Sequence, residues 1–116
     1  MKITNLESVP RTEMTTDGVF ATFKQLPIGT ADGAPNFSLR VFTIEPGGHT
    51  PYHAHPWEHE NYVIAGEGAI RTESGEECPI RAGDFALILP NEKHQFRNTS
   101  EHENLQFICL VPKEQE

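Results

Sequence analysis

Basic residues are scarce in this chain. Nine Lys and Arg stand against seventeen Asp and Glu, a formal charge of −8 over 116 residues, which repels phosphate backbones and anionic headgroups and so counts against nucleic-acid and membrane-surface partners. Cysteine is nearly missing. Cys78 and Cys109 are the only two, too few for a disulfide framework and expected as free thiols in a chain without an export signal. No run approaches the ~18 consecutive apolar residues of a membrane span, and the opening MKITNLESVPRTEM has no apolar stretch that could act as a signal core. A cytoplasmic protein is the expectation. Sustained helical periodicity, internal repeats, low-complexity tracts and linkers are also absent, which excludes solenoids and long amphipathic helices. A chain of 13.0 kDa can bury one modest core and not two.

What is present is strand pattern. Short β-branched, aromatic and aliphatic runs alternate with Gly, Pro and Asn punctuation: GVFATFKQL (18–26), NFSLRVFTIE (36–45), ENYVIAGEGAIRTE (60–73, bent at its glycines), EECPI (76–80), DFALIL (84–89), HQFRN (94–98) and NLQFICLV (104–111). Turns are expected at Pro46-Gly47-Gly48, Ser74-Gly75, Ala82-Gly83-Asp84 and Pro90-Asn91-Glu92. The fold class is all-β, a sandwich or barrel, because an open sheet of this size leaves unpaired edges. A single domain spans residues 1–116, with a loosely organised arm over 1–17, a barrel over about 18–112 and a loose end after it.

The chemistry concentrates in HTPYHAHPWEHEN (49–61), which holds His49, His53, His55 and His59 together with Glu58, Glu60 and the only tryptophan. Residues two apart on a strand share a face, so His53 and His55 can aim at one point, and Pro56 lets the chain arch so that His59 returns to it from the next strand. Grouped imidazoles repel when protonated and gain most by sharing a cation. A solvated histidine-rich loop is the bland alternative, and the clustering weighs against it. A zinc-protease helix fits poorly, since no Glu follows His55 and the surroundings are β-patterned. A closed structural zinc site lacks its paired cysteines. No serine, cysteine or lysine sits in a context resembling a nucleophile with its base.

Gly47-Gly48, His53-Ala54-His55, Glu60 and Gly66 resemble the first motif of the cupins, with five rather than six residues between Glu60 and Gly66. GDFALILPNEKHQFRN resembles the second through Gly83, Pro90, His94 and Asn98, with shifted gaps around Pro90 and no glycine after it. The resemblance implies a single double-stranded β-helix, a jelly-roll-like barrel with a metal inside. HPWEHE, PNEKHQFRN and FICLVPKE further resemble the small manganese-containing bacterial cupins, in which four histidines hold the metal. That likeness implies His53, His55, His59 and His94 as ligands, whereas motif spacing alone would offer Glu60 in place of His59. Glu58 and Glu60 would then lie behind the ligands or on the surface.

Four neutral imidazoles leave the charge of a divalent ion uncompensated, so open positions should attract anions. Imidazole suits Zn2+, Ni2+ and Cu2+ as well; Mn2+ first and Fe2+ next follow from the resemblance. The resemblance also places Phe107 and Cys109 in the pocket and Arg40 near its mouth, and strand parity puts Phe107 and Cys109 on one face. Plain core packing for the first two and a surface ion pair for Arg40 are the competing readings. Cys109 is expected close enough to the metal to be oxidised by peroxide. His49 and His102 are assigned no metal role, Trp57 is expected to cover the loop, and Tyr52 to face away from the metal. The implied functions are an Mn- or Fe-dependent, dioxygenase-like cleavage of a small molecule, a non-enzymatic anion-binding module, or a metal-dependent lyase or isomerase. A homodimer is expected, with the N-terminal segment as the candidate for exchange between copies.

Overall fold

A computed structural model describes residues 1–116 and shows nine strands: β1 (Thr12–Glu13), β2 (Phe20–Ile28), β3 (Phe37–His49), β4 (His59–Ala65), β5 (Glu67–Thr72), β6 (Glu77–Arg81), β7 (Phe85–Ile88), β8 (His94–Asn98) and β9 (Leu105–Pro112). All pairings are antiparallel, in the order β6-β5-β8-β3-β9-β4-β7, with β2 beside β3 and β1 beside β2. The sheet curls on itself, and the turn between β6 and β7 is tied to the end of β4, the amides of Gly83 and Ala82 donating to the carbonyls of Val63 and Gly66. The expected all-β, jelly-roll-like barrel is the fold found. No helix is long and apolar enough to cross a membrane.

Period-two patterning decides which side chains enter the barrel. Along β9 every second residue is buried, beginning with Leu105, so Leu105, Phe107, Cys109 and Val111 point inward. Direct pairing across the sheet places residues on one face, giving an inner row Arg40, Cys109, Asn61, Ala86 and a second inner row Phe42, Phe107, Val63. Phe107 stacks between Phe42 and Phe96 at ring separations of 5.5 and 4.4 Å. This aromatic stack closes one end of the interior and leaves the other for the histidines.

Two glycine positions set the framework. At Gly66, between β4 and β5, φ is +81°, and a Cβ would run into the Asn104 carbonyl, so the bend read from the sequence requires glycine there. The expected turn at Pro46-Gly47-Gly48 is instead part of β3. A Cβ at Gly48 would sit 2.7 Å from the Phe20 carbonyl oxygen, so the missing side chain lets β2 stay against β3 as far as the Phe20–His49 pair, across an irregularity at Ala21.

The ends are more ordered than their composition suggests. The Asn5 side chain caps a 3-10 turn at Leu6–Ser8, β1 pairs with β2 of the same chain, and Gln25 Nε2 donates to the carbonyls of Leu6 and Val9. At the other end the Glu116 carboxylate accepts from Thr30 N, Thr30 Oγ1 and Ser38 Oγ. These are side-chain hydrogen bonds, to which hydropathy patterns are blind.

Candidate metal centre

The four histidines come from three places. His53 and His55 lie on the extended segment between β3 and β4, where His53 exchanges backbone hydrogen bonds with His94 (3.1 and 2.9 Å). His59 opens β4 and His94 opens β8, both buried. Their rings converge: His53–His55, His53–His94, His55–His59, His55–His94 and His59–His94 centroids are 5.0 to 5.2 Å apart. Donor nitrogens of His53, His55 and His94 lie within 4.8 Å of one another, and His59 Nε2 is 3.3 Å from His94 Nε2. The cluster is of a kind that can hold a metal ion.

The donor chemistry fits that use. His55 Nδ1 donates to the Trp57 carbonyl (2.9 Å) and His94 Nδ1 to the Glu92 carbonyl (2.7 Å). His59 Nδ1 stands beside the Asn61 amide, 2.9 Å from Nδ2 and 3.2 Å from Oδ1. With the Nδ1 atoms of His55 and His94 carrying their protons toward these carbonyls, Nε2 of each keeps a lone pair, the tautomer a metal needs. His59 Nε2 and His94 Nε2 face each other at 3.3 Å, a contact satisfied by one shared proton or by a cation between them. Glu60 does not share this geometry: parity on β4 turns His59, Asn61 and Val63 inward and Glu60 outward.

The rings are also held neutral. Burial, then the neighbouring imidazoles and Arg40, lowers His59 from 6.5 to about 3 and His53 to about 4, and His55 and His94 shift the same way with burial as the largest cause. Below pH 6.5 the unfolded chain takes up protons that the folded, metal-free chain refuses. Stability is therefore complete above about pH 6.5 and declines as pH falls toward the folded values. Differential scanning fluorimetry of chelator-treated protein should show Tm dropping between pH 7 and pH 4, with a shallower slope for His59→Asn; parallel slopes would contradict the neutral cluster.

The imidazoles open onto a cavity of about 700 Å³ whose walls include Arg40, Phe42, Trp57, Phe96, Phe107 and Cys109. All three residues expected around the metal are thus in its lining. Arg40 Nη2 donates to Cys109 Sγ at 3.0 Å, its guanidinium lies 4.9 Å from the Phe42 ring centre, and its Nε is buried without a partner. No carboxylate pairs with Arg40. Cys109 is buried, and desolvation raises its pKa despite Arg40, which pulls it down. Trp57 stacks on His55, with centroids 4.3 Å apart and planes 6° from parallel, so it props a histidine as well as covering the loop. Tyr52 turns its hydroxyl away to the carbonyls of Thr72 and Glu73, yet its body lines the cavity. His49 contacts Gln95 and the Thr50 carbonyl, and His102 lies in an exposed turn.

Sequence reasoning missed the arm's part in the cavity: Met14, Thr16, Asp17 and Gly18 form one side of it. Only the pairing of β1 with β2 brings them there, and no spacing signal announces it.

Comparison with known proteins agrees with this architecture. The polyketide cyclase RemF from Streptomyces resistomycificus superposes with a TM-score of 0.91 at 30% identity, covering 97% of this chain and 79% of that one. Ectoine synthase from P. lautus gives 0.75 at 26% identity, over 97% and 78%. An oxalate-binding protein of Thermotoga maritima is 32% identical over 69 residues, 59% of this chain and 55% of that protein. The chain spans about half the length of the curated relatives it matches. The Cupin_2 model, a cupin domain, matches residues 40–111, well over half the chain and the whole segment that carries the four histidines, and the chain belongs to the cupin family.

Proposed function

We propose that this protein is a metal-dependent, dioxygenase-like enzyme acting on a small oxygen-rich anion, with His53, His55, His59 and His94 holding Mn2+ or, next, Fe2+. The observation that carries the reading is the cluster of four neutral imidazoles opening onto a cavity whose one cationic side chain, Arg40, has no carboxylate partner. Bound there, such a metal supplies Lewis acidity and redox capacity with no ligand carboxylate to cancel its charge.

The chain's own groups do the rest. Arg40 presents its guanidinium to an acidic group of the substrate, a charge-assisted contact. Phe42, Phe96 and Phe107 give the substrate an apolar wall. The tethered Nδ1 atoms fix the imidazoles, so the ligand set need not reorganise during a reaction.

A second reading has its own support. The similarity to a protein named as a polyketide cyclase, with Asp17 in the cavity wall as a candidate proton acceptor, favours ring closure or isomerisation without oxygen. Turnover assays of metal-loaded protein on enols, diketones and alkenylphenols, run aerobically, with peroxide and anaerobically, separate the readings. Oxygen- or peroxide-dependent product supports the oxygenase, and anaerobic turnover replaces it with the cyclase or isomerase. Silence throughout leaves an anion-binding module. With any acidic substrate that turns over, Arg40→Gln should raise KM roughly 10- to 100-fold, the equivalent of one charge-assisted hydrogen bond, while kcat and metal content hold. An unchanged KM would remove Arg40 from substrate binding.

A further inference from the structure

The arm and β2 enclose a second cavity beside the one that holds the histidines. It has a volume of about 460 Å³ and walls that include Val9, Thr12, Met14, Thr16, Lys24 and Leu26; Met14 and Thr16 belong to both cavities. Strand register turns Lys24 inward. Lys24 pairs directly with Phe42 of β3 and with Thr12 of β1, and directly paired residues share a face, so the lysine extends the inner row of Phe42, Phe107 and Val63. Arg40 lies two residues from Phe42 on the same face of β3. It is therefore the diagonal neighbour of Lys24, a spacing that long side chains bridge.

Two neighbouring cations repel, and a carboxylate between them would offset the repulsion. None is in place, although Asp and Glu outnumber Lys and Arg by seventeen to nine. No carboxylate lies within ion-pair distance of Lys24 or Arg40, and Arg40 Nε has no partner at all. Glu13 also borders the second cavity, but it pairs with Phe23 and so faces the other side of β1. Glu116 favours the charged lysine from nearby, yet its carboxylate is taken up by Thr30 N, Thr30 Oγ1 and Ser38 Oγ. The imbalance is felt at Lys24, where burial and then Arg40 lower the pKa and the opposing pull of Glu116 and Cys109 does not restore it.

We propose that Lys24 forms a second acidic-group subsite, and that the ligand of this protein is a small dicarboxylate whose two ends rest on Arg40 and Lys24, past Met14. The inference rests on Arg40 as the receptor for one acidic group, as argued above, and adds the second charge and the shape between the two. Met14 packs against the core at the boundary of the cavities, and Leu26 continues the apolar wall, which suits a short methylene chain. The planar guanidinium matches one carboxylate in two-point contact, while the ammonium is a compact charge that tolerates varied approach. A dianion relieves the repulsion between the two cations, and a monoanion leaves one of them unanswered.

Isothermal titration calorimetry of the whole, metal-loaded chain tests the proposal with succinate, glutarate and adipate, each beside the monocarboxylate of equal carbon count: butyrate, pentanoate and hexanoate. At least one dicarboxylate should bind roughly 10- to 100-fold tighter than its monocarboxylate, the equivalent of one added charge-assisted contact. Lys24→Gln should abolish that preference and leave monocarboxylate affinity unchanged, and Lys24→Arg should keep most of it. Arg81→Gln, which removes an exposed charge on β6, should keep all of it. A wild type that prefers no dicarboxylate, silence included, overturns the proposal, and this comparison needs no variant to fold. A preference that survives Lys24→Gln, or falls equally in Arg81→Gln, overturns it too. Binding is read without turnover, so silent oxygenase assays leave the result standing. Monocarboxylate affinity unmoved by Arg40→Gln would remove Arg40 and both readings with it, whereas a flat dicarboxylate series with Arg40→Gln effective removes Lys24 alone.

Discussion

His59→Ala loses its metal on purification, whereas Glu60→Ala keeps a wild-type complement. The two residues are neighbours, and motif spacing would favour the glutamate, so the pair separates a four-imidazole site from one with three imidazoles and a carboxylate. The geometric case for His59 is its Nε2, 3.3 Å from that of His94, while Glu60 leaves β4 on the opposite face. Desolvation and the adjacent Glu58 raise the pKa of Glu60, but neither influence brings its carboxylate to the imidazoles. Removing an outer partner of a ligand usually weakens metal binding about 10- to 100-fold. Asn61→Ala, which frees the His59 ring from its orienting amide, belongs in that range. Loss of the ligand itself should exceed it, to at least about 100-fold. Metal content by plasma mass spectrometry on untagged protein, with a competing chelator for affinity, reads all three variants. Metal lost from Glu60→Ala and kept by His59→Ala would replace the four-histidine site with the ordinary glutamate site.

Much of this was legible because period-two alternation is a local signal. HQFRN coincides with the bounds of β8, and alternation alone puts Phe107 and Cys109 on one face of β9. The histidine spacing also transmitted its geometry, since a two-residue interval and a proline arch are properties of the chain itself. What escaped was non-local. The Gly47-Gly48 turn reading failed because those glycines serve the approach of another strand, β2, and the arm was read as loose because side-chain hydrogen bonds to Gln25 hold it. DFALIL carries apolar residues at both parities, so its pattern signals a strand without telling which residues reach the core. Only the structure shows Ile88 buried and Phe85 open.

Phe107→Ala should produce the opposite signature from His59→Ala: a large loss of stability with the metal retained. The sequence left Phe107 between a pocket wall and plain core, and it is both, lining the cavity while remaining 2% exposed. Its ring is the middle of the Phe42–Phe107–Phe96 stack, which ties β3, β9 and β8 together. Truncating a buried phenylalanine costs about 3 to 5 kcal/mol through lost transfer energy and the cavity left behind. Set against a typical stability of ~5 to 15 kcal/mol, that lowers Tm by roughly 10 to 20 °C in a domain of this size. Phe107→Leu keeps most of the apolar volume and should cost no more than about 1.5 kcal/mol. None of the four histidines lies on β9, so below the new Tm the ligand set stands and metal content is preserved. Calorimetry beside metal analysis reads both quantities. A Tm within about 2 °C of wild type for Phe107→Ala would make the ring a substrate wall alone, and metal loss without unfolding would mean that β9 supports the imidazoles directly.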